Sequence, residues 1–204
     1  PHIKKKTGLY MPKVLDVGCS GGYFLDIFKE HGFNTFGIEY GDEAVREASR
    51  KHKVYKGTFP EITLTDQFDL IIFRGVIEHV PNPVSYLKKA VSYLTTNDNQ
   101  SSEGGSLYIT STPNLDCLCA ELFKERWNQH EPESHLMHFK ENHFTDFFRS
   151  QGLSQVWSHF PYLETPYANV KSDLRKVLDE LSNKNQVQRS PAFYGNMMTL
   201  IYRS

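Results

Sequence analysis

No apolar run in this 204-residue chain approaches the roughly 20 residues needed to cross a bilayer, which argues against a membrane-spanning helix. No charged-then-apolar leader opens it. Cysteine is scarce: Cys19, Cys117 and Cys119 form no CxxC pair, which excludes a paired-thiol motif and fits reduced thiols in a cytoplasmic protein. There is no excess of positive charge, since 23 Lys and Arg face 24 Asp and Glu for a net charge of −1. That balance disfavours a nucleic-acid partner. The only basic run, Lys4–Lys6, reads as a solvated terminus. Repeats and low-complexity tracts are absent. The first residue is Pro1, which implies that upstream sequence was removed or not included.

What is present is the composition of one globular domain with a sizeable core. Short apolar strands are expected at Val14–Asp16, Asn34–Glu39, Lys53–Lys56, Phe68–Phe73, Ser106–Ser111, Gln155–Phe160 and Met197–Tyr202. Helical spacing is expected at Tyr23–His31, Gly41–His52, Pro83–Leu94 and Glu141–Gln151. Pro83–Leu94 would bury Val84, Leu87, Val91 and Leu94. A further helix would place Val170, Leu174, Val177 and Leu181 in register. Asn97–Gly105 is a turn-rich polar loop. Strands alternating with helices imply an α/β fold, a mostly parallel sheet with helices on both faces. Ligands in such folds bind beyond the carboxyl ends of the strands, where strand order reverses.

The stretch Val14–Phe24, VLDVGCSGGYF, has the strand–glycine loop–helix order of a nucleotide site. The dinucleotide fingerprint G-x-G-x-x-G fails, because Ser20 and Tyr23 stand where its second and third glycines belong. No Gly-Lys-Ser/Thr of a phosphate loop occurs. Asp16 would repel a pyrophosphate at that strand end and suits a ligand carrying positive charge. S-adenosylmethionine, with an ammonium, a sulfonium and no phosphate, meets that demand. Glycines at 18, 21 and 22 would let backbone approach the ligand. Glu39 ends the second strand, 21 residues past Gly18, where an acid can accept ribose hydroxyls.

The motif DVGCSGG at Asp16–Gly22 resembles the first motif of class I S-adenosylmethionine-dependent methyltransferases. The resemblance continues through GIEYG at Gly37–Gly41, FDLIIFRGVIEHVPNP at Phe68–Pro83, GGSLYITSTPN at Gly104–Asn114 and the segment Trp127–Phe139. It is to the branch containing ubiquinone-type O-methyltransferases and bacterial methyltransferases of sugar and lipid biosynthesis clusters. It covers about residues 13 to 153. It implies one methyltransferase domain over residues 1–204, Rossmann-like, with a seven-stranded sheet whose seventh strand is antiparallel. It implies S-adenosyl-L-methionine as cofactor, touched by Asp16, Gly18, Cys19, Gly22, Tyr23 and Glu39. It also implies that Thr58 and Phe59 hold the adenine, with Tyr40 able to pack on its other side, and that Arg74 and Gly75 face the methionine part. Two departures are Ser20, where many relatives carry glycine, and the short stretch before the first strand.

Methyl transfer to a hydroxyl needs alignment, exclusion of water and a base near neutral pKa. His79 follows the fourth strand, and His135 and His138 follow the fifth; these are the candidate catalytic groups. The segment at about 113–140, anchored by Leu115, Leu118, Leu122, Phe123 and Trp127, is expected to form a lid or substrate wall. A helical insertion is expected at about 165–191. The expected function is O-methylation of a small-molecule, sugar- or lipid-linked acceptor. An alternative comes from Glu78, His79, His135 and His138, which resemble the metal ligands of methyltransferases acting on the terminal 2′-hydroxyl of small RNAs. Those carry a further glutamate where this chain has Gly75, and the preferred expectation is no metal. A third reading is a non-catalytic module of the same fold. Oligomeric state stays open.

Overall fold

The computed structural model describes residues 11–96, 104–183 and 188–204. Seven strands and six helices follow one another along them, alternating except at β3–β4 and α4–α5: β1 (Lys13–Val17), α1 (Tyr23–Glu30), β2 (Asn34–Glu39), α2 (Asp42–Ala48), β3 (Lys53–Lys56), β4 (Leu70–Arg74), α3 (Pro83–Ser92), β5 (Ser106–Pro113), α4 (Leu118–Phe123), α5 (Glu141–Ser150), β6 (Ser154–His159), α6 (Val170–Leu181) and β7 (Met197–Arg203). A 3₁₀ turn, Lys124–Arg126, follows α4. The sheet order is β3-β2-β1-β4-β5-β7-β6. β1 pairs in parallel with β2 and β4, and β2 with β3, while β7 is antiparallel. The order reverses between β1 and β4, so the ends of β1, β2 and β4 meet the expected ligand edge. The polar loop expected at Asn97–Gly105 falls mostly outside the described residues.

Contacts divide the described residues into two compact units. One comprises those of Pro1–Arg74, Asn82–Tyr108 and Tyr202–Ser204; the other comprises Gly75–Pro81 and those of Ile109–Ile201. In the first, Val14, Cys19, Leu25, Ala48, Leu70 and Ile72 form a core, with Phe24, Phe28 and Phe33 packed against it. β4 is buried from Leu70 to Phe73, as its unbroken apolar run requires of a strand covered on both faces. α3 starts at a cap: Asn82 Oδ1 accepts from Ser85 N at 3.2 Å, and Pro83 supplies a pre-set φ.

In the second unit the core joins Cys117, Cys119, Phe123, Trp127 and Val177. All three cysteines are free and buried.

Three apolar faces differ from expectation. In α3, Pro83, Leu87 and Ala90 are buried and Val84 is exposed. In the 113–140 segment, Phe123 and Trp127 are core residues, but Leu115 and Leu118 face solvent and the two small thiols fill their place. In α6 only Val177 of the expected face is buried, beside Asp173. The inward side of α6 is organised by polar bonds instead. Asp173 Oδ2 accepts from Tyr162 Oη and from Asn169 N, both at 2.8 Å. Arg126 grips Glu180 with two nitrogens, one at 3.0 Å. Burial, the bond to Asp173 and the nearby Tyr194 and Cys119 push the Tyr162 hydroxyl up to about 12.

Candidate functional site

The glycine loop of the first unit is held by the β2 strand end. Gly18 N and Cys19 N both donate to Ile38 O, at 2.8 and 3.1 Å. Gly18 (φ 77), Ser20 (φ 49) and Gly22 (φ 82) are all left-handed. Ser20 stands where the resemblance expects glycine, and the constraint there is backbone conformation rather than side-chain size. A non-glycine residue in that region costs on the order of 1 kcal/mol. The bond from Ser20 N to Glu39 Oε2, 2.9 Å, opposes that cost. Gly22 is needed for packing as well: a Cβ there would lie 2.7 Å from His52 Cδ2.

Glu39 closes the loop from the other side. Its Oε1 accepts from Tyr40 N and Gly41 N at 2.8 and 2.9 Å. With Ser20 N on Oε2, three backbone donors fix the carboxylate, and Oε2 retains acceptor capacity for one hydroxyl donor. Asp16, on β1, is the opposite case. It is 3 % exposed, and its Oδ1 has no hydrogen-bond partner. Burial pushes its carboxyl up to about 7, the Arg74 guanidinium pulling it down and the Glu39 charge adding to the rise. A buried, unpartnered carboxylate beside a backbone-lined loop fits an ammonium-bearing ligand and opposes a phosphate.

The other residues singled out in the sequence distribute unevenly. Tyr23 and Tyr40 are exposed side chains, 71 % and 76 %. Arg74 ends β4 with its guanidinium 5.4 Å from the Phe24 ring centre. Cys19 lies in the core, and burial, with Asp16 and Glu39 adding, pushes its thiol up to about 12. Thr58 donates its hydroxyl to Glu61 Oε2 at 2.6 Å, which caps the following turn. Phe59 is buried against Phe73 and Tyr86 with Lys89 over its ring.

The second unit gathers the histidines. His79 Nδ1 lies 2.8 Å from Ser134 O, and His135 Nδ1 lies 2.7 Å from Gln129 O. A carbonyl only accepts, so each Nδ1 donates, and Nε2 is the atom left to accept a bond in the neutral tautomer. Glu78 is buried, its Oε1 3.9 Å from His79 Nε2 and its Oε2 3.4 Å from Thr112 Oγ1. Burial raises its pKa, against the pull of His79, His135 and Thr112. One donor atom each of Glu78, His79 and His135 lies within 4.8 Å of the others. His138 stands apart: its Nε2 lies 3.3 Å from the same Gln129 oxygen, and its ring stacks on His130 at 5.2 Å. Burial lowers its pKa.

Thr112, beside a left-handed Ser111 (φ 58) in β5, escaped sequence reasoning, because its contact to Glu78 joins residues 34 apart in the chain. The carbonyls of Gln129 and Ser134 escaped too, since main-chain acceptors leave no residue signature.

The methyltransferase-domain family model matches residues 4–159. A ubiquinone biosynthesis O-methyltransferase of Pseudomonas aeruginosa is 33% identical over 96 residues, covering 42% of this chain and 41% of that protein. One of Actinobacillus pleuropneumoniae is 31% identical over 105 residues, covering 45% and 44%. The chain thus matches less than half the length of these curated relatives. Among solved structures, a SAM-dependent methyltransferase of Archaeoglobus fulgidus superposes with a TM-score of 0.60 at 18% identity, covering 95% of this chain and 86% of that one. The magnesium protoporphyrin IX methyltransferase of Synechocystis PCC 6803, with bound SAH, gives 0.61 at 13%, covering 95% and 74%. At such identities the likeness is one of fold.

Asp16 generates a test that needs no ligand. The unfolded carboxyl loses its proton near 3.8 and the folded one near 7, so between those values the folded state holds a proton the unfolded state has released. The residue's contribution to stability therefore falls as pH rises through that window and stays low above it. Asp16→Asn is expected to raise the melting temperature at pH 8 by about 2 °C or more, and to flatten its pH dependence in calorimetric scans.

Proposed function

The chain belongs to the methyltransferase-domain family, as a class I S-adenosylmethionine-dependent enzyme, and from that premise we propose that it methylates a hydroxyl oxygen of a small-molecule, sugar- or lipid-linked acceptor. The observation that carries this reading is the pair of fixed imidazoles, His79 and His135, each with its proton on Nδ1 and a lone pair on Nε2 beside a buried carboxylate. The O-methyltransferase names of the matched relatives support it. Among the described residues no helix is long and apolar enough to cross a membrane, and the free cysteines suit a reaction in the cytoplasm.

When bound, S-adenosylmethionine supplies an electrophilic methyl group whose leaving group is a neutral thioether. Asp16 would hold the ammonium through its unpartnered oxygen, and Glu39 Oε2 would accept from the ribose. His79 Nε2 would take the acceptor's hydroxyl proton, and the Glu78 carboxylate at 3.9 Å would stabilise the imidazolium so formed. His135 would orient or share that proton. His138, with its Nε2 committed to Gln129, would support the wall of the site.

A second reading rests on the 4.8 Å grouping of Glu78, His79 and His135. Two imidazoles oriented by main-chain carbonyls and one carboxylate form a ligand set for a divalent cation, which would polarise the hydroxyl directly. A Cβ on Gly75 would lie 3.9 Å from Glu78 Oε1, so the position occupied by glutamate in the RNA 2′-hydroxyl enzymes adjoins this group. The net charge of −1 weighs against RNA as the acceptor.

Two measurements check these roles. Glu39→Ala is expected to weaken S-adenosylhomocysteine binding by about 1.5–3 kcal/mol in titration calorimetry; unchanged affinity refutes the ribose contact. With an acceptor found by screening hydroxylated metabolites, polyprenyl phenols and short RNAs, His79→Ala is expected to cut kcat at least about a hundredfold while leaving cofactor affinity unchanged. Activity lost to EDTA and restored by Mn²⁺ or Zn²⁺ selects the second reading. Metal-independent activity selects the first.

A further inference from the structure

The stretch that orients the histidines has no regular structure of its own. Residues 127–138 form neither helix nor strand. Yet the carbonyl of Gln129 takes two imidazoles at once, His135 through Nδ1 at 2.7 Å and His138 through Nε2 at 3.3 Å. One acceptor therefore selects opposite neutral tautomers in two rings, Nδ1–H in His135 and Nε2–H in His138. Whatever fixes that oxygen fixes both rings.

The fixing bonds come from the residues between α6 and β7. Asn128, the residue before Gln129, is held twice: its N donates to Ser190 Oγ at 2.9 Å, and its Oδ1 accepts from Asn196 Nδ2 at 3.3 Å. Ser190 N donates in turn to Arg126 O at 2.8 Å, so one serine brackets the main chain on both sides of Trp127. Ser190 and Asn196 are buried, 6 and 3 % exposed. The Asn196 amide fits only one way round. Its Nδ2 also donates to Pro191 O at 3.1 Å, and the reversed amide would set oxygen against two oxygens. Its Oδ1 is buried and bonds no described residue. An apolar side chain would avoid that loss if stability were the only demand, so the amide serves through its donor. The sheet anchors the far end: Asn196 O, just before β7, accepts at 2.9 Å from the N of Asn114, just after β5.

On the reading of His79 and His135 as the proton-handling pair, we propose that Ser190 and Asn196 are positioning residues for the reaction. They carry the geometry of the β5 and β7 ends through Asn128 to the Gln129 carbonyl, and so to His135 and His138. Neither touches the reacting atoms. Their effect is on where two rings point, and a misplacement of about 1 Å in such a group is enough to cost rate.

Nitrogen-15 NMR of the imidazoles at pH 8, above the ordinary histidine range, reads the tautomers without any ligand. The full chain is expected to show Nδ1–H in His135 and Nε2–H in His138. Ser190→Ala and Asn128→Ala are each expected to turn the His135 signals into those of mixed tautomers. Ser190→Thr and Asn128→Asp keep the accepting oxygens and are expected to keep the original pattern. Asn128→Ala trims a half-buried side chain and decides the matter if Ser190→Ala does not fold. With the acceptor found by screening, both alanine variants are expected to lose about tenfold or more in kcat at unchanged S-adenosylhomocysteine affinity. His135 tautomers that stay the same in both alanine variants overturn the proposal. So does a kcat that survives the loss of the tautomer, and if His79→Ala is then still inactive the hydroxyl-methylation reading stands without it. If His79→Ala is fully active, that reading falls, while the NMR pattern still decides whether Ser190 and Asn196 orient the rings.

Discussion

One carboxylate holds the glycine loop in its working shape. Glu39 accepts from Ser20, Tyr40 and Gly41, three main-chain donors on two separate turns. The first bond offsets the cost of holding a serine in the left-handed region. The other two hold the turn that leads from β2 into α2. A carboxylate is suited to this role because its two oxygens can take several donors at once, and charge-assisted bonds are about twice as strong as neutral ones. The same oxygen that steadies Ser20 retains room for one more donor, so the loop's support and the proposed ribose contact share a single atom group.

Asp16 and Glu39 are both buried acids near one loop, and their surroundings treat them in opposite ways. Backbone N–H groups surround Glu39. Asp16 has an oxygen without any partner and a carboxyl that protonates near neutrality. Such a separation of two acids by environment is how a site distinguishes a scaffold group from a ligand-facing one. On the proposed reading, positive charge is favoured at β1 and hydroxyls at β2, the pattern of an amino-acid-bearing nucleoside without phosphates.

The framework was readable because its signals are local. The run Phe68–Phe73 announces a strand covered on both faces, and DVGCSGG announces a tight, ligand-facing turn. Glu39 could be placed by counting from Gly18. Other features depend on information no residue carries alone. Phe59 is expected at the adenine, but its packing beside Phe73 and Tyr86 could not be read from the chain, since only the fold brings those rings to it. The α6 face misled because its periodicity is real, but the docking side was chosen by Asp173 and Glu180, polar residues that helical spacing counts as solvent-facing. The need for glycine at position 22 came partly from His52, thirty residues away.

The histidines of the second unit are oriented by peptide oxygens, His79 by that of Ser134, and His135 and His138 jointly by that of Gln129. A carbonyl survives any exchange of the side chain attached to it. A change of side chain at position 129 or 134 therefore leaves the acceptors that orient these rings in the chain. On the proposed reading, the acceptor wall can be reshaped one residue at a time while the groups that would handle the proton keep their orientation.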